Sequence, residues 1–322
     1  MDEINGLIFG IYPFANAGMA NGVATGKPDD FNKIGASIIE LSAETPEFLV
    51  RTYAHFTGNN GSDVLRQIEQ LLQIPVDWDL VLCFRSPDSD LKSWLELIRA
   101  ILTRHGDRLN TLQITNEANL KNMPGVGDGY FPAASKALVQ GVIAARDTVT
   151  KTAGITKIGF DAVPAFHAGD NFWTELKSLG GREFAGELDY VGLNLYPDVF
   201  GDPVALENIP TAVRQILKNF RREDMTAAGI PDSTPIRITE NGWPTNSGRS
   251  YQRQAEVLES VVRTIYALRN ELNITHYELF GLRDADSSNE NMFHQFGILR
   301  DDHTPKPAYT VYQKLVRELG RK

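Results

Sequence analysis

Ile236-Arg237-Ile238-Thr239-Glu240-Asn241-Gly242-Trp243-Pro244 opens as a short β-branched run and stops at a carboxylate. Gly242 is expected to admit an unusual backbone angle, and Trp243 and Pro244 to stiffen the loop that follows. A buried strand ending on Glu suits a site better than a core. A second stretch, Leu112-Gln113-Ile114-Thr115-Asn116-Glu117-Ala118-Asn119, has the same design. Two strand-end glutamates far apart in sequence suggest chemistry that uses two carboxyl groups.

Outward from these stretches the chain alternates strand and helix. Strands are predicted at 7–14, 48–56, 80–84, 112–115, 157–163, 190–196, 236–239 and 276–282. Helices are predicted from Asp29 or Asp30 to Leu41, from Ser62-Asp63 through Leu72, and over 89–105, 133–152, 172–179, 211–222, 251–272 and 308–319. In the first of these Phe31, Ile34, Ile38 and Leu41 share a face; in the second Val64, Leu65, Ile68, Leu71 and Leu72 recur at helical spacing. Eight strand–helix units of about 40 residues argue for an α/β fold, a closed (β/α)8 TIM barrel forming one domain over 1–322. The alternative, an open doubly wound sheet, usually carries a Gly-rich phosphate loop after an early strand. Here Pro124-Gly125-Val126-Gly127-Asp128-Gly129 lies well past its strand and runs into Tyr130-Phe131-Pro132, a weak phosphate signal.

Composition removes several classes of function. With 322 residues, 42% apolar and 23% charged, the chain has the make-up of a globular protein with a sizeable core. A net charge of −9 and the lack of a Lys/Arg-rich run argue against a nucleic-acid partner. No apolar stretch approaches the roughly 20 residues of a membrane helix, and the acidic N-terminus lacks a signal pattern. A soluble, cytoplasmic protein is expected, or a secreted one if a signal peptide has been removed. The one cysteine, Cys83, sits in an apolar run and reads as a buried hydrophobe. The six histidines show no metal-ligand spacing, so neither metal nor cofactor is expected. His55 and His167, near the ends of the second and fifth strands, read as rim histidines.

A barrel places working residues at the C-terminal ends of its strands. Glu117 and Glu240 stand there, on the fourth and seventh strands. Two carboxyl groups suit glycosidic bond cleavage: one donates a proton to the leaving oxygen while the other, ionised, attacks or stabilises the anomeric carbon. Either Glu alone reads as a helix cap or half of an ion pair. Both at matching positions, one preceded by Asn and the other followed by Gly-Trp-Pro, favour catalysis.

The Asn116-Glu117 pair and Glu240 resemble the acid/base and nucleophile of the clan A glycoside hydrolases, retaining (β/α)8 enzymes. Thr239-Glu240-Asn241-Gly242-Trp243-Pro244-Thr245 is similar to the nucleophile signature of the family 17 endo-β-1,3-glucanases. Asn194-Leu195-Tyr196-Pro197 resembles that family's Asn-x-Tyr-Pro, and Arg51-Thr52-Tyr53 its Arg-Ile-Tyr. Asn241 departs from it and resembles the Thr-Glu-Asn-Gly of the family 1 β-glucosidases, whose length and strand-eight Trp pair are missing; the layout also resembles the family 53 galactanases.

The resemblance implies a retaining β-glycosidase of a β-glucan or related oligo- or polysaccharide, with no cofactor. Glu240 would be the nucleophile and Glu117 the acid/base; Asn116 would hold the sugar 2-hydroxyl, while Tyr196 and Arg51 would hydrogen-bond Glu240. Asn194 joins the substrate-binding set, and Trp243 reads as a sugar-stacking platform with loop anchor as its alternative. Arg51 reads equally as the structural partner of an acidic residue. At strand eight, where clan members commonly place Trp, Phe280 is expected to take the wall position, with Arg283 and Asp284 lining the pocket or pairing at the rim. Transglycosylation at the same site and a carbohydrate-binding pseudoenzyme are the alternatives. A metal-dependent or phosphate-binding barrel enzyme fits less well, lacking ligand pattern and phosphate loop.

Overall fold

The computed structural model describes residues 5–20, 22–164 and 171–322. Its strands are β1 (Ile8–Tyr12), β2 (Ala17–Met19), β3 (Gly22–Ala24), β4 (Phe48–Phe56), β5 (Asp77–Phe84), β6 (Leu109–Ile114), β7 (Lys157–Ala162), β8 (Tyr190–Asn194), β9 (Ile236–Asn241) and β10 (Ile274–Phe280). Its helices are α1 (Phe31–Ser42), α2 (Gly61–Leu71), α3 (Leu91–His105), α4 (Ala134–Thr152), α5 (Phe172–Gly186), α6 (Ile209–Asn219), α7 (Met225–Ala227), α8 (Tyr251–Leu272) and α9 (Pro307–Leu319). Eight strands close into a parallel barrel in the order β1-β10-β9-β8-β7-β6-β5-β4. The strand sequences explain it. In β5 every residue after Asp77 is buried, the pattern of a strand covered on both faces.

Local signals place the helices. Asp30 caps α1 by accepting from the N–H groups of Asn32 and Lys33, and Ser250 caps α8 by accepting from Arg253 N. The bounds of α8 match the sequence expectation, and Asn273 ends it in the left-handed region at φ 53°. Other expectations are corrected. Ser62 and Asp63 lie inside the first turn of α2, which follows Asn60. Phe31 is 57% exposed although Ile34, Ile38 and Leu41 on the same helix are buried. The helix expected over 211–222 is interrupted by a π-helical turn, Phe220–Asp224, before α7. Between β1 and α1, where no element was expected, β2 and β3 pair antiparallel.

The chain forms two compact units. One comprises Leu49–Asn194 and Asn219–Ile236. Within it β4 to β8 pair in sequence, each parallel to the next. Trp94 of α3 donates its indole N–H to the Ala137 carbonyl of α4 at 3.0 Å. The helices meet at Gly141, where a Cβ would lie 2.7 Å from the Ile114 side chain, so only glycine fits. Phe56 and Phe84 pack against Trp94, and Trp173 and Phe184 against Phe160.

The other unit comprises Met1–Phe48, Leu195–Lys218 and Arg237–Lys322. Its β1 pairs with β10 from Ile8↔His276 to Tyr12↔Phe280, and α8 packs on α9. Phe9 meets the rings of Tyr277 and Tyr312, and the Tyr312 hydroxyl donates to the Gly10 carbonyl at 2.6 Å. Among the described residues no helix is long and apolar enough to cross a membrane.

Candidate active site

In the first unit, β6 stops at Ile114 and the chain turns sharply through Asn116 and Glu117. Thr115 and Glu117 have φ of 67° and 48°, a region that a β-branched residue rarely enters. Such a backbone costs on the order of 1–3 kcal/mol per residue and persists only where its surroundings hold it. Here three hydrogen bonds do so. Thr115 N donates to the Leu82 carbonyl at 3.0 Å, Asn116 N to Asp128 Oδ2 at 2.8 Å and Glu117 N to Asp161 Oδ1 at 2.6 Å. The Glu117 side chain is 4% exposed, and its Oε1 accepts from Asn194 Nδ2 at 2.9 Å. Asn194, expected among the sugar contacts, thus holds the carboxylate of Glu117. The Asn116 amide donates to the Val126 carbonyl at 3.3 Å, while its Oδ1 is buried without a partner.

Asp161 and Asp128, neither of them singled out from sequence, fix this turn. Asp161 uses its other oxygen on Arg51 at 3.2 Å. Arg51 also reaches Asp79 at 2.5 Å, Gln113 at 2.9 Å and the Tyr53 hydroxyl at 2.8 Å, and it is 1% exposed. One guanidinium thereby joins β4 to β5, β6 and β7, and its two carboxylate partners offset the cost of burying it. Within this unit Arg51 steadies the Glu117 turn through Asp161. The available signal was a carboxylate inside the apolar run Ile158-Gly159-Phe160-Asp161-Ala162.

Asp128 lies in the Gly-rich loop and is fully buried. Its Oδ2 accepts from Phe84 N at 2.6 Å and Asn116 N at 2.8 Å, and Arg85 Nε stands 3.5 Å from Oδ1. Burial raises its pKa to about 7 against the lowering by Arg85 and the two N–H groups. The loop therefore delivers a carboxylate to two backbone donors, the reverse of a phosphate cradle. Its partners lie in other strands, so nothing local in the sequence marked it.

In the second unit, β9 continues to Asn241, so Glu240 lies inside the strand and not beyond it. Glu240 is 7% exposed, and its Oε2 accepts from the Tyr196 hydroxyl at 2.7 Å, as expected for Tyr196. The Glu240 carbonyl accepts from Leu195 N at 2.7 Å, and Asn241 Nδ2 donates to the Leu195 carbonyl at 2.5 Å. Tyr277 closes the set by donating to Asn241 Oδ1 at 2.6 Å. Asn241, the departure in the motif, is a clamp on the segment that carries Tyr196.

Two readings of this motif are corrected. Gly242 does not adopt a left-handed angle; a Cβ there would lie 1.9 Å from the Phe280 carbonyl oxygen, so close approach of the chain requires glycine. Trp243 is 6% exposed, donates Nε1–H to Asp198 at 3.2 Å and has the Arg249 guanidinium 4.9 Å from its ring centroid. These contacts make it the anchor of its loop, and its buried ring offers no open face for a sugar. Phe280 is half-buried, stacks on Tyr12 at 4.9 Å and meets Phe296 edge-on at 5.6 Å. Its peptide bond to Gly281 is cis.

Arg283 and Asp284 brace loops. Arg283 donates to Asp29 Oδ1 and the Lys27 carbonyl, both at 2.8 Å. Asp284 accepts from Lys306 Nζ at 2.8 Å and Gly297 N at 2.9 Å, and Lys306 also donates to Thr245 Oγ1 at 2.9 Å. Burial raises the Asp284 pKa and lowers that of Lys306. Cys83 is buried, which pushes its thiol pKa up. His55 is exposed at the end of β4, and His167 lies outside the described residues. Among the described residues no three His, Cys, Asp or Glu side chains cluster as metal ligands.

No protein-family profile matches the chain, and no curated protein does. Solved structures do. A β-glucosidase from Exiguobacterium marinum superposes with a TM-score of 0.63 at 13% identity, over 100% of both chains. The family 17 β-1,3-glucanosyltransferase of Rhizomucor miehei gives 0.58 at 16% identity, over 94% of this chain and 97% of its own. A β-D-glucuronidase from Dictyoglomus thermophilum gives 0.60 at 13% identity over 98% of this chain, which spans only 51% of that protein. At these identities the likeness establishes the fold, a TIM barrel.

Proposed function

We propose that the chain is a retaining glycoside hydrolase acting on β-linked glucans or related oligosaccharides, built as one catalytic domain, with Glu117 as acid/base and Glu240 as nucleophile. One observation carries the reading. Asn194 and Tyr196 stand two residues apart, and Asn194 holds the carboxylate of Glu117 while Tyr196 holds that of Glu240. Both glutamates are buried at the C-terminal ends of parallel barrel strands, where barrel enzymes carry their chemistry.

Glu240 attacks the anomeric carbon as the glycosidic C–O bond breaks, and the Glu117 proton passes to the leaving oxygen. The Tyr196 hydroxyl orients the Glu240 carboxylate for the attack. Water then adds to the anomeric carbon, gives its proton to Glu117 and releases Glu240. The unpartnered Oδ1 of Asn116 suits a sugar 2-hydroxyl, a bond that strengthens as positive charge develops on the ring. Arg51 supports Glu117 through Asp161. The Rhizomucor protein is a glucanosyltransferase; with a sugar hydroxyl in place of water, the same two carboxyls transfer the glycosyl group.

The test is turnover of aryl β-glycosides and β-1,3-, β-1,4- and β-1,6-linked glucans and galactans, with product anomers followed by NMR. The reading expects retained configuration and, on natural substrates, losses of several decades in Glu240→Ala and Glu117→Ala. Glu117→Ala keeps turnover on dinitrophenyl leaving groups, which need no proton. Inverted product, or variants as active as the parent, would overturn it. Saccharide binding without turnover would favour a pseudoenzyme.

A further inference from the structure

Phe200, in the loop after β8, is 48% exposed, and a single exposed apolar residue is ordinary. Its surroundings are not. Its ring stacks on Phe293 at 6.0 Å with an interplanar angle of 24°, and meets Tyr196 edge-on at 5.3 Å. Phe296 closes the group at 5.9 Å from Tyr196 and 6.2 Å from Phe293. Four rings in one unit thus run from the hydrogen-bond partner of Glu240 out to the surface.

The two outer rings are held in place. Asp198 fixes the Phe200 loop: its Oδ1 accepts from Val204 N at 2.6 Å, and its Oδ2 from Trp243 Nε1 and Arg253 Nη2, each at 3.2 Å. The buried Trp243 therefore serves the loop that presents Phe200. Asn291 Oδ1 accepts from Phe293 N at 3.1 Å and caps the short turn Met292–His294. An exposed flat π face fits a pyranose, whose axial C–H face is apolar.

We propose that Phe200 and Phe293 form a subsite that stacks a second pyranose ring of the substrate, so that the preferred substrates are oligosaccharides and not single sugars on small leaving groups. The proposal rests on the glycosidase reading. The test compares kcat/KM on a β-linked glucotriose with that on the β-glucosyl fluoride, whose leaving group has no ring. Phe200→Ala and Phe293→Ala are each expected to lower the ratio of the two about tenfold, a typical loss for one stacked ring. Phe200→Trp is expected to restore it. An unchanged ratio, or equal losses on both substrates, would overturn the subsite. If the parent turns over neither compound, the glycosidase reading is what has failed. Calorimetric titration with the glucotriose then decides: binding about tenfold weaker in Phe200→Ala supports the subsite, and equal or absent binding overturns it.

Discussion

Replacing Asp128 by Ala or Asn measures how far the Glu117 turn depends on one carboxylate. Asp128 Oδ2 accepts from Phe84 N at 2.6 Å and Asn116 N at 2.8 Å, with Arg85 at 3.5 Å. In Asp128→Ala two buried N–H groups and a guanidinium lose their acceptor. At about 1–3 kcal/mol for each orphaned donor, the loss of stability is about 3–5 kcal/mol. Asp128→Asn keeps one oxygen for both N–H groups but turns an amide toward Arg85, for a loss of about 1–2 kcal/mol. The pH dependence follows from the same burial. With a folded pKa of about 7, the carboxyl binds its proton more tightly folded than unfolded. Its contribution is complete below about pH 4 and is lost as pH rises through about 7. The gap is worth on the order of 4 kcal/mol at most. Urea unfolding from pH 4 to 8 tests this: the stability difference between parent and Asp128→Asn should shrink or reverse as pH rises. A parent-like slope in Asp128→Asn, or Asp128→Ala within about 1 kcal/mol of the parent, would refute the reasoning.

Three further outcomes are expected. Tyr196→Phe removes one hydrogen bond to Glu240 and should lower kcat/KM about 10- to 100-fold, with thermal stability nearly unchanged. Gly242→Ala sets a Cβ against the Phe280 carbonyl, so thermal unfolding should show a loss of about 3 kcal/mol or more. Lys306→Met strands the buried Asp284 carboxylate and should cost about 3–5 kcal/mol in denaturant titration, part of it recovered by adding Asp284→Asn.

Alternation and caps made the barrel legible, because β4 and α8 carry their own periodicity and punctuation in sequence. Glu117, Glu240 and the Tyr196 contact were legible because they sit at strand ends beside Asn, Gly and Pro. Asp128 and Asp161 were not, since their meaning lies in partners on other strands. The hairpin β2–β3 escaped because Ala-Gly-Met and Gly-Val-Ala have no strand-like alternation. Gly242 was noticed for the wrong physical reason, and for Trp243 the contacts fit the alternative reading, loop anchor: one answers to a neighbouring carbonyl and the other to Asp198, contacts that only the fold creates.

The most direct test of the central claim is mass spectrometry after incubation with a 2-deoxy-2-fluoro-β-glycoside of the preferred sugar, which slows release of a glycosyl-enzyme. The account predicts one adduct, on the peptide that contains Glu240, absent from Glu240→Ala. An adduct on another residue, or none from a chain that turns over the parent glycoside, would contradict it.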